Sequence, residues 1–137
     1  MQLTNKQKVY FDTAKAVAGL STYKKIHIGC VVVYQHRIIS TGFNCNKSHP
    51  LQKKYNIYRF AEECPHTLHA EIKALLPLIG RKDINFSKVS IYNYRQYSNG
   101  KTAMSRPCNS CMALIRELGI KNIFYTGDNS YIAEKLF

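Results

Sequence analysis

The chain has 137 residues, 45 % of them apolar, with ten Tyr and six Phe; this is the length and composition of one folded domain, residues 1–137, and it excludes extended disorder. Twenty Lys and Arg against eight Asp and Glu give a net charge of +12, a field that draws phosphorylated partners such as nucleotides or nucleic acid. Five cysteines cannot all pair within one chain, the N-terminus MQLTNKQKVYFD lacks an apolar leader, and no run is long enough to span a membrane. A cytoplasmic protein is expected, with thiols free for chemistry or metal.

Thr4 followed by Gln7 reads as a capping box, and Val9, Ala14, Val17 and Ala18 mark an amphipathic first helix ending near Gly19. IHIGCVVVY, residues 26–34, is rich in β-branched side chains and leads through QHR into IISTGF, which predicts a hairpin of two strands with Cys30 in the core. Residues 45–67 show no sustained period and contain Pro50 and Pro65, a long loop with room for a helical turn. LHAEIKALLP, residues 68–77, is helical, with Thr67 as its N-cap and Gly80 as its stop. KVSIYNY, residues 88–94, alternates as a third strand, and a polar loop containing Asn99-Gly100 carries the chain to Pro107. A helix from Pro107 to Leu118 stops at Gly119, KNIFYT follows as a fourth strand, and residues 130–136 are expected to form a short closing helix. Strand, helix, strand implies a parallel pair beside an antiparallel hairpin, hence a mixed sheet covered by helices.

Two stretches carry chemistry. In PCNSC, Cys108 and Cys111 lie three apart at a helix start, so both sulfurs share a face, and free N–H groups with the helix dipole favour the thiolate form. Spacing alone leaves a zinc pair, a redox pair and two core cysteines open. The helix at 68–77 opens with His69 and Glu71, polar residues on an otherwise apolar stretch. His69 supplies a third ligand of the type zinc takes, and three protein ligands leave one coordination position open, as in catalytic rather than structural zinc.

The pairing of His69-Ala70-Glu71 with Pro107-Cys108-Asn109-Ser110-Cys111 resembles the motif of the zinc deaminases, the cytidine and deoxycytidylate deaminase superfamily, which also includes tRNA adenosine deaminases. The resemblance covers most of the chain. It implies a cytidine deaminase-like three-layer α/β/α fold with a mixed sheet, Zn2+ held by His69, Cys108 and Cys111, and Glu71 as the catalytic proton shuttle. It further implies substrate contacts at Asn44 and Ala70, and a homo-oligomer. The reaction expected is hydrolytic deamination of cytosine to uracil in a nucleoside or nucleotide. The alternatives are a deaminase of adenine or cytosine in single-stranded RNA or DNA, and a non-catalytic, zinc-containing nucleic-acid-binding module.

Some residues depart from the family's patterns. Lys73 stands two residues after Glu71, where deoxycytidylate deaminases commonly have Asn; Ala74 fits the tRNA enzymes better, yet PCNSC lacks the Met those often carry between the cysteines. Lys53 to Arg59, KKYNIYR, interleaves basic and aromatic residues as single-strand binding surfaces do, though a solvated loop has the same composition. Lys and Arg of the 45–59 and 95–106 loops are candidates for holding a phosphate. Cys45 with His49, and Cys64 with His66, offer the donors of a second metal site across the long loop. His27 and His36 read as ordinary strand and turn residues.

Overall fold

The computed structural model describes residues 2–22, 26–47, 49–58, 68–97 and 99–137. Helix α1, Asn5–Ala18, begins with the expected capping box: the Gln7 N–H donates to Thr4 Oγ1 and the Thr4 N–H to Gln7 Oε1, at 3.2 and 2.9 Å. Strands β1, Ile28–Tyr34, and β2, Arg37–Phe43, form the expected antiparallel hairpin. Between the hairpin and the next strand lie two six-residue helices, α2, Pro50–Tyr55, and α3, Ala70–Leu75. The helical turn allowed for in the 45–67 loop is α2: His49 Nδ1 accepts the Leu51 N–H at 3.0 Å and Pro50 takes the first helical position. Thr67, the expected cap of α3, lies outside the described residues; His69, extended at φ −75° and ψ 152°, stands in the cap position.

Strand β3, Ser90–Arg95, helix α4, Asn109–Leu118, and strand β4, Asn122–Gly127, form the expected strand–helix–strand unit, with β3 and β4 parallel. Helix α4 starts two residues later than Pro107 because Cys108 is still extended, at φ −69° and ψ 171°, and Gly119 closes it in the left-handed conformation. The chain's end corrects the sequence reading. Residues 130–136 do not form a helix: Ser130–Lys135 is a fifth strand, β5, turned back on β4 by Asp128 and Asn129 with Gly127 opposite Ser130. The helical propensity of Ala133-Glu134-Lys135 yields to ladder hydrogen bonds along an open sheet edge, because strand formation is decided by neighbours more than by intrinsic preference.

The sheet runs β2-β1-β3-β4-β5 and is mixed, as expected. Its two faces are covered separately. Val31, Val33, Tyr92 and Tyr94 pack with Tyr10, Phe11, Ala14 and Ala18 of α1, whereas Cys30, Val32, Ile91 and Ile123 pack with Ile72 and Leu75 of α3 and Leu114 and Ile115 of α4. The period-2 alternation of strands sends neighbouring residues to opposite layers, so a strand covered on both faces reads as a continuous apolar run. No helix among the described residues is long and apolar enough to cross a membrane.

Two contacts place the helices that matter for chemistry. Helix α3 rests on β2 at Gly42, where a Cβ would come within 2.4 Å of the Ala70 carbonyl oxygen and 2.5 Å of the Ala74 amide. Beside it Ser40 Oγ donates to Ala74 O at 2.6 Å. At the other edge, β5 brings Glu134 against Arg106, just before Pro107: Nε and Nη2 of Arg106 each donate to a Glu134 oxygen at 2.9 Å, and Tyr125 Oη donates to the same carboxylate at 2.8 Å. These donors hold the Glu134 carboxyl down at about 2.

Gly42→Ala is expected to push α3 off β2 and to destabilise the protein by about 1–3 kcal/mol, the usual cost of overpacking. Urea unfolding with an unchanged midpoint would show that the approach is not constraining. Glu134 generates a pH-dependent prediction of defined sign. Its folded-state value lies below the ordinary 4.5, so its stabilisation is full above about pH 4.5 and is lost as pH falls toward 2. The thermal stability of Glu134→Gln should therefore trail the native protein near pH 6, by about 1 kcal/mol for a largely surface pair, and converge with it near pH 2. An equal gap at both pH values would refute the assignment.

Candidate active site

The residues that carry the sequence motif converge where α3 and α4 begin. His69 is delivered by a short two-way backbone bridge, in which the Cys45 N–H donates to Leu68 O and the Leu68 N–H to Cys45 O, at 3.0 and 2.9 Å. Cys108 caps α4 and Cys111 lies in its first turn. The loop before Pro107 is fixed from the sheet by buried polar residues. Asn93 Nδ2 donates to Ser105 O at 3.2 Å, Ser105 Oγ to Asn93 O at 3.0 Å, and Thr126 Oγ1 to Ala103 O at 2.7 Å.

His69 Nδ1 lies 3.3 Å from both Cys108 Sγ and Cys111 Sγ, and the three donor atoms lie within 4.8 Å of one another. A tetrahedral zinc ion, with Zn–N near 2.0 Å and Zn–S near 2.3 Å, separates nitrogen from sulfur by about 3.5 Å. One imidazole and two sulfurs at this spacing fit Zn2+ in both donor type and size. Among the described residues no other group of three such donors converges.

Glu71 is 4 % exposed and lies beside the cluster. Burial is the main cause that raises its carboxyl above the ordinary value; the nearby Cys108 raises it further, His69 opposes, and it is hydrogen-bonded with Cys111. The two sulfurs differ sharply. Cys108 is drawn down to about 3, chiefly by the hydrogen bond from Cys111 and with help from His69 and Ser110 against its burial. Burial above all raises Cys111. An anionic sulfur, the form in which cysteine binds a metal, is therefore favoured at the N-terminal cap of α4.

The other candidate residues are placed differently. Asn44, 8 % exposed, spends its carboxamide on backbone: Oδ1 accepts the Ile28 N–H at 2.9 Å and Nδ2 donates to Ile26 O at 2.7 Å, tying the end of β2 to the start of β1. Ala70 is fully buried at the start of α3 against β2. Lys73 holds its Nζ 3.5 Å from the centre of the Phe43 ring, and residues two apart on a helix diverge by about 200°, so it projects away from Glu71. Of the suggested second metal site, Cys64 and His66 lie outside the described residues. Cys45 is buried in the core and His49 Nδ1 is engaged in capping α2.

Two polar residues at the site escaped the sequence reading. Gln52 of α2 is 1 % exposed and accepts the His69 N–H on its Oε1 at 3.0 Å, and Ser110 Oγ lies 3.0 Å from Cys108 Sγ. His49-Pro50 was a legible helix start, but nothing in sequence marks which polar residue of such a helix turns inward.

Residues 4–127 match the family model described as the cytidine and deoxycytidylate deaminase zinc-binding region. No curated protein matches the sequence. Among solved structures, the apo dCMP deaminase of cyanophage S-TIM5 aligns over 93 % of this chain and 86 % of its own, with 22 % identity and a TM-score of 0.64. The cytidine deaminase of Burkholderia pseudomallei aligns over 97 % and 93 %, with 15 % identity and a TM-score of 0.67. At such identities the structures show the shared fold, while the family match together with the His69, Cys108 and Cys111 cluster identifies Zn2+ as the metal. With nearly its whole length matched by that model, the chain belongs to the cytidine and deoxycytidylate deaminase family.

Proposed function

We propose that this deaminase hydrolyses the amino group of cytosine in a nucleoside or nucleotide, using zinc held by His69, Cys108 and Cys111 and Glu71 as the proton carrier. The observation that carries the reading is the buried carboxyl of Glu71 beside the three-donor cluster. A buried carboxylate is costly without a cationic partner, and among the described residues Glu71 forms no ion pair with Lys or Arg. Proton transfer at a metal site gives a carboxyl in this position a role, which supports the reading.

Zinc, when bound, supplies the Lewis acidity that makes water a nucleophile near neutral pH. Glu71 takes a proton from that water, passes it to the ring nitrogen beside the amino-bearing carbon, and carries the second to the departing amine. Cytosine and water thus give uracil and ammonia. In this reading Asn44 retains one N–H and one lone pair beyond its backbone bonds for a sugar hydroxyl, and Ala70 offers main-chain contacts to the base. A phosphate would fall to Lys53, Lys54 or Lys101, because Arg106 is paired with Glu134 and Arg95 donates to Met104 O.

The cyanophage enzyme has also been solved in complex with dCMP and dUMP, which favours a nucleotide over a polymer. Support for a single-stranded substrate is reduced at Lys53 to Arg59: Tyr55 is buried and hydrogen-bonded to Glu117, so it offers no stacking face, and Arg59 lies outside the described residues.

Ammonia release from a panel of cytidine, deoxycytidine, their monophosphates, adenosine and single-stranded oligonucleotides should single out a cytosine nucleoside or nucleotide. Glu71→Gln should keep stoichiometric zinc and lose at least about 100-fold in kcat, the usual range for a general acid–base group. Zinc-loaded protein that releases no ammonia from any member of the panel would sink the enzymatic reading in favour of a zinc-ordered binding module.

A further inference from the structure

Helix α2 has no assigned purpose, yet its most buried side chain is polar and touches both helices of the metal cluster. Gln52 Oε1 accepts the His69 N–H at 3.0 Å; Nε2 donates to Asn56 Oδ1 at 2.8 Å and reaches Ser110 Oγ at 3.4 Å. The orientation of the carboxamide follows from its partners. A backbone N–H can only donate, so the oxygen must face His69, and the nitrogen must face Asn56 Oδ1. Ser110, also fully buried, accepts from Gln52 and is left with its own proton to donate to Cys108 Sγ, 3.0 Å away.

A leucine of similar volume at position 52 would pack without carrying polar groups that must be satisfied. What glutamine adds is direction. It fixes the extended residue from which the His69 ring projects, and through Ser110 it aims a hydrogen bond at a sulfur donor across the cluster.

We propose that Gln52 is a positioning residue of the zinc site, holding His69 and, through Ser110, Cys108 in mutual register so that α2 acts as a clamp across the starts of α3 and α4. The proposal rests on the reading of His69, Cys108 and Cys111 as zinc ligands. Partners one step outside a metal's ligands orient those ligands and tune their basicity, and their loss commonly weakens metal binding about 10- to 100-fold.

The test uses the full chain, with zinc affinity measured by competition against a chromophoric chelator and the sulfur-to-metal charge-transfer band read in the Co2+-loaded protein. Gln52→Leu and Ser110→Ala should each weaken zinc binding about 10- to 100-fold and shift the cobalt band, and the double variant should bind no more weakly than Gln52→Leu alone. A merely structural glutamine would lower the unfolding midpoint and leave the cobalt band in place, which would overturn the proposal. Should Gln52→Leu fail to fold, Gln52→Glu decides: it keeps the acceptor for the His69 N–H and, as a carboxylate, has no proton to give Ser110. A native affinity and band in that variant would likewise overturn the proposal. His69→Ala separates the two levels. If it binds zinc as tightly as the native protein, the ligand assignment fails and this proposal with it; if it loses zinc while the Gln52 variants keep native affinity and spectrum, only the clamp fails.

Discussion

The start of α3 has to meet the start of α4 at a single buried point, and much of the structure serves that meeting. Helix α3 has six residues, too few to be stable or fixed in direction by itself. Its direction is imposed from outside: Gly42 lets it lie on β2, Ser40 holds Ala74 O, and the Cys45–Leu68 bridge sets the residue before His69. Helix α4 is longer and carries its own apolar face, but the loop that leads into it is polar and needs the Ser105 network and the Arg106–Glu134 pair. The donor cluster is thus stabilised mainly by groups that touch none of its three atoms.

The sheet separates stability from chemistry. On the α1 face Tyr92 stacks on Phe124 at 4.5 Å and meets the edge of Phe11 at 5.1 Å, an aromatic layer remote from the reactive groups. On the other face Cys30 and Val32 line the floor beneath α3, and Cys30, fully buried, lies near enough to Glu71 for the carboxylate to raise its thiol further, after burial. One strand therefore supports both layers through alternate residues. A one-residue slip of β1 would bring Val31 under Glu71 and Cys30 into the aromatic layer, so the register of the central strand is also the register of the site.

The sequence displayed the convergence because its parts obey local rules. The capping box of Thr4, the β-branched run of β1, the spacing of Cys108 and Cys111, and Gly119 after α4 each report a constraint that acts within a few residues, and each is found where it was read. The failures are non-local. Residues 130–136 look helical in isolation and become β5 because the β4 edge is there to pair with, which in turn gives Arg106 its partner. The backbone bonds that the Asn44 carboxamide makes ahead of β1 are likewise set by packing and are not legible at a strand end in the sequence. Gln52 is invisible for the same reason: its importance lies in which way α2 faces, and that is set by packing against a helix almost sixty residues away.

The distribution of cations bears on how a substrate arrives. The chain carries a net charge of +12, and some of its basic residues are engaged within the fold: Arg106 with Glu134, Arg95 with a carbonyl, and Lys73 over the Phe43 ring. Glu71, the acidic group at the cluster, is buried, and that burial is the main cause that raises its carboxyl above the ordinary value. An excess of this kind acts through its summed field, raising the local concentration of anions and the rate of encounter while the engaged side chains hold their positions. Such attraction is screened over about 8 Å at physiological salt. It therefore acts on the approach of anionic molecules at short range more than on their selection once they have arrived, because selection depends on directional contacts rather than on a summed field.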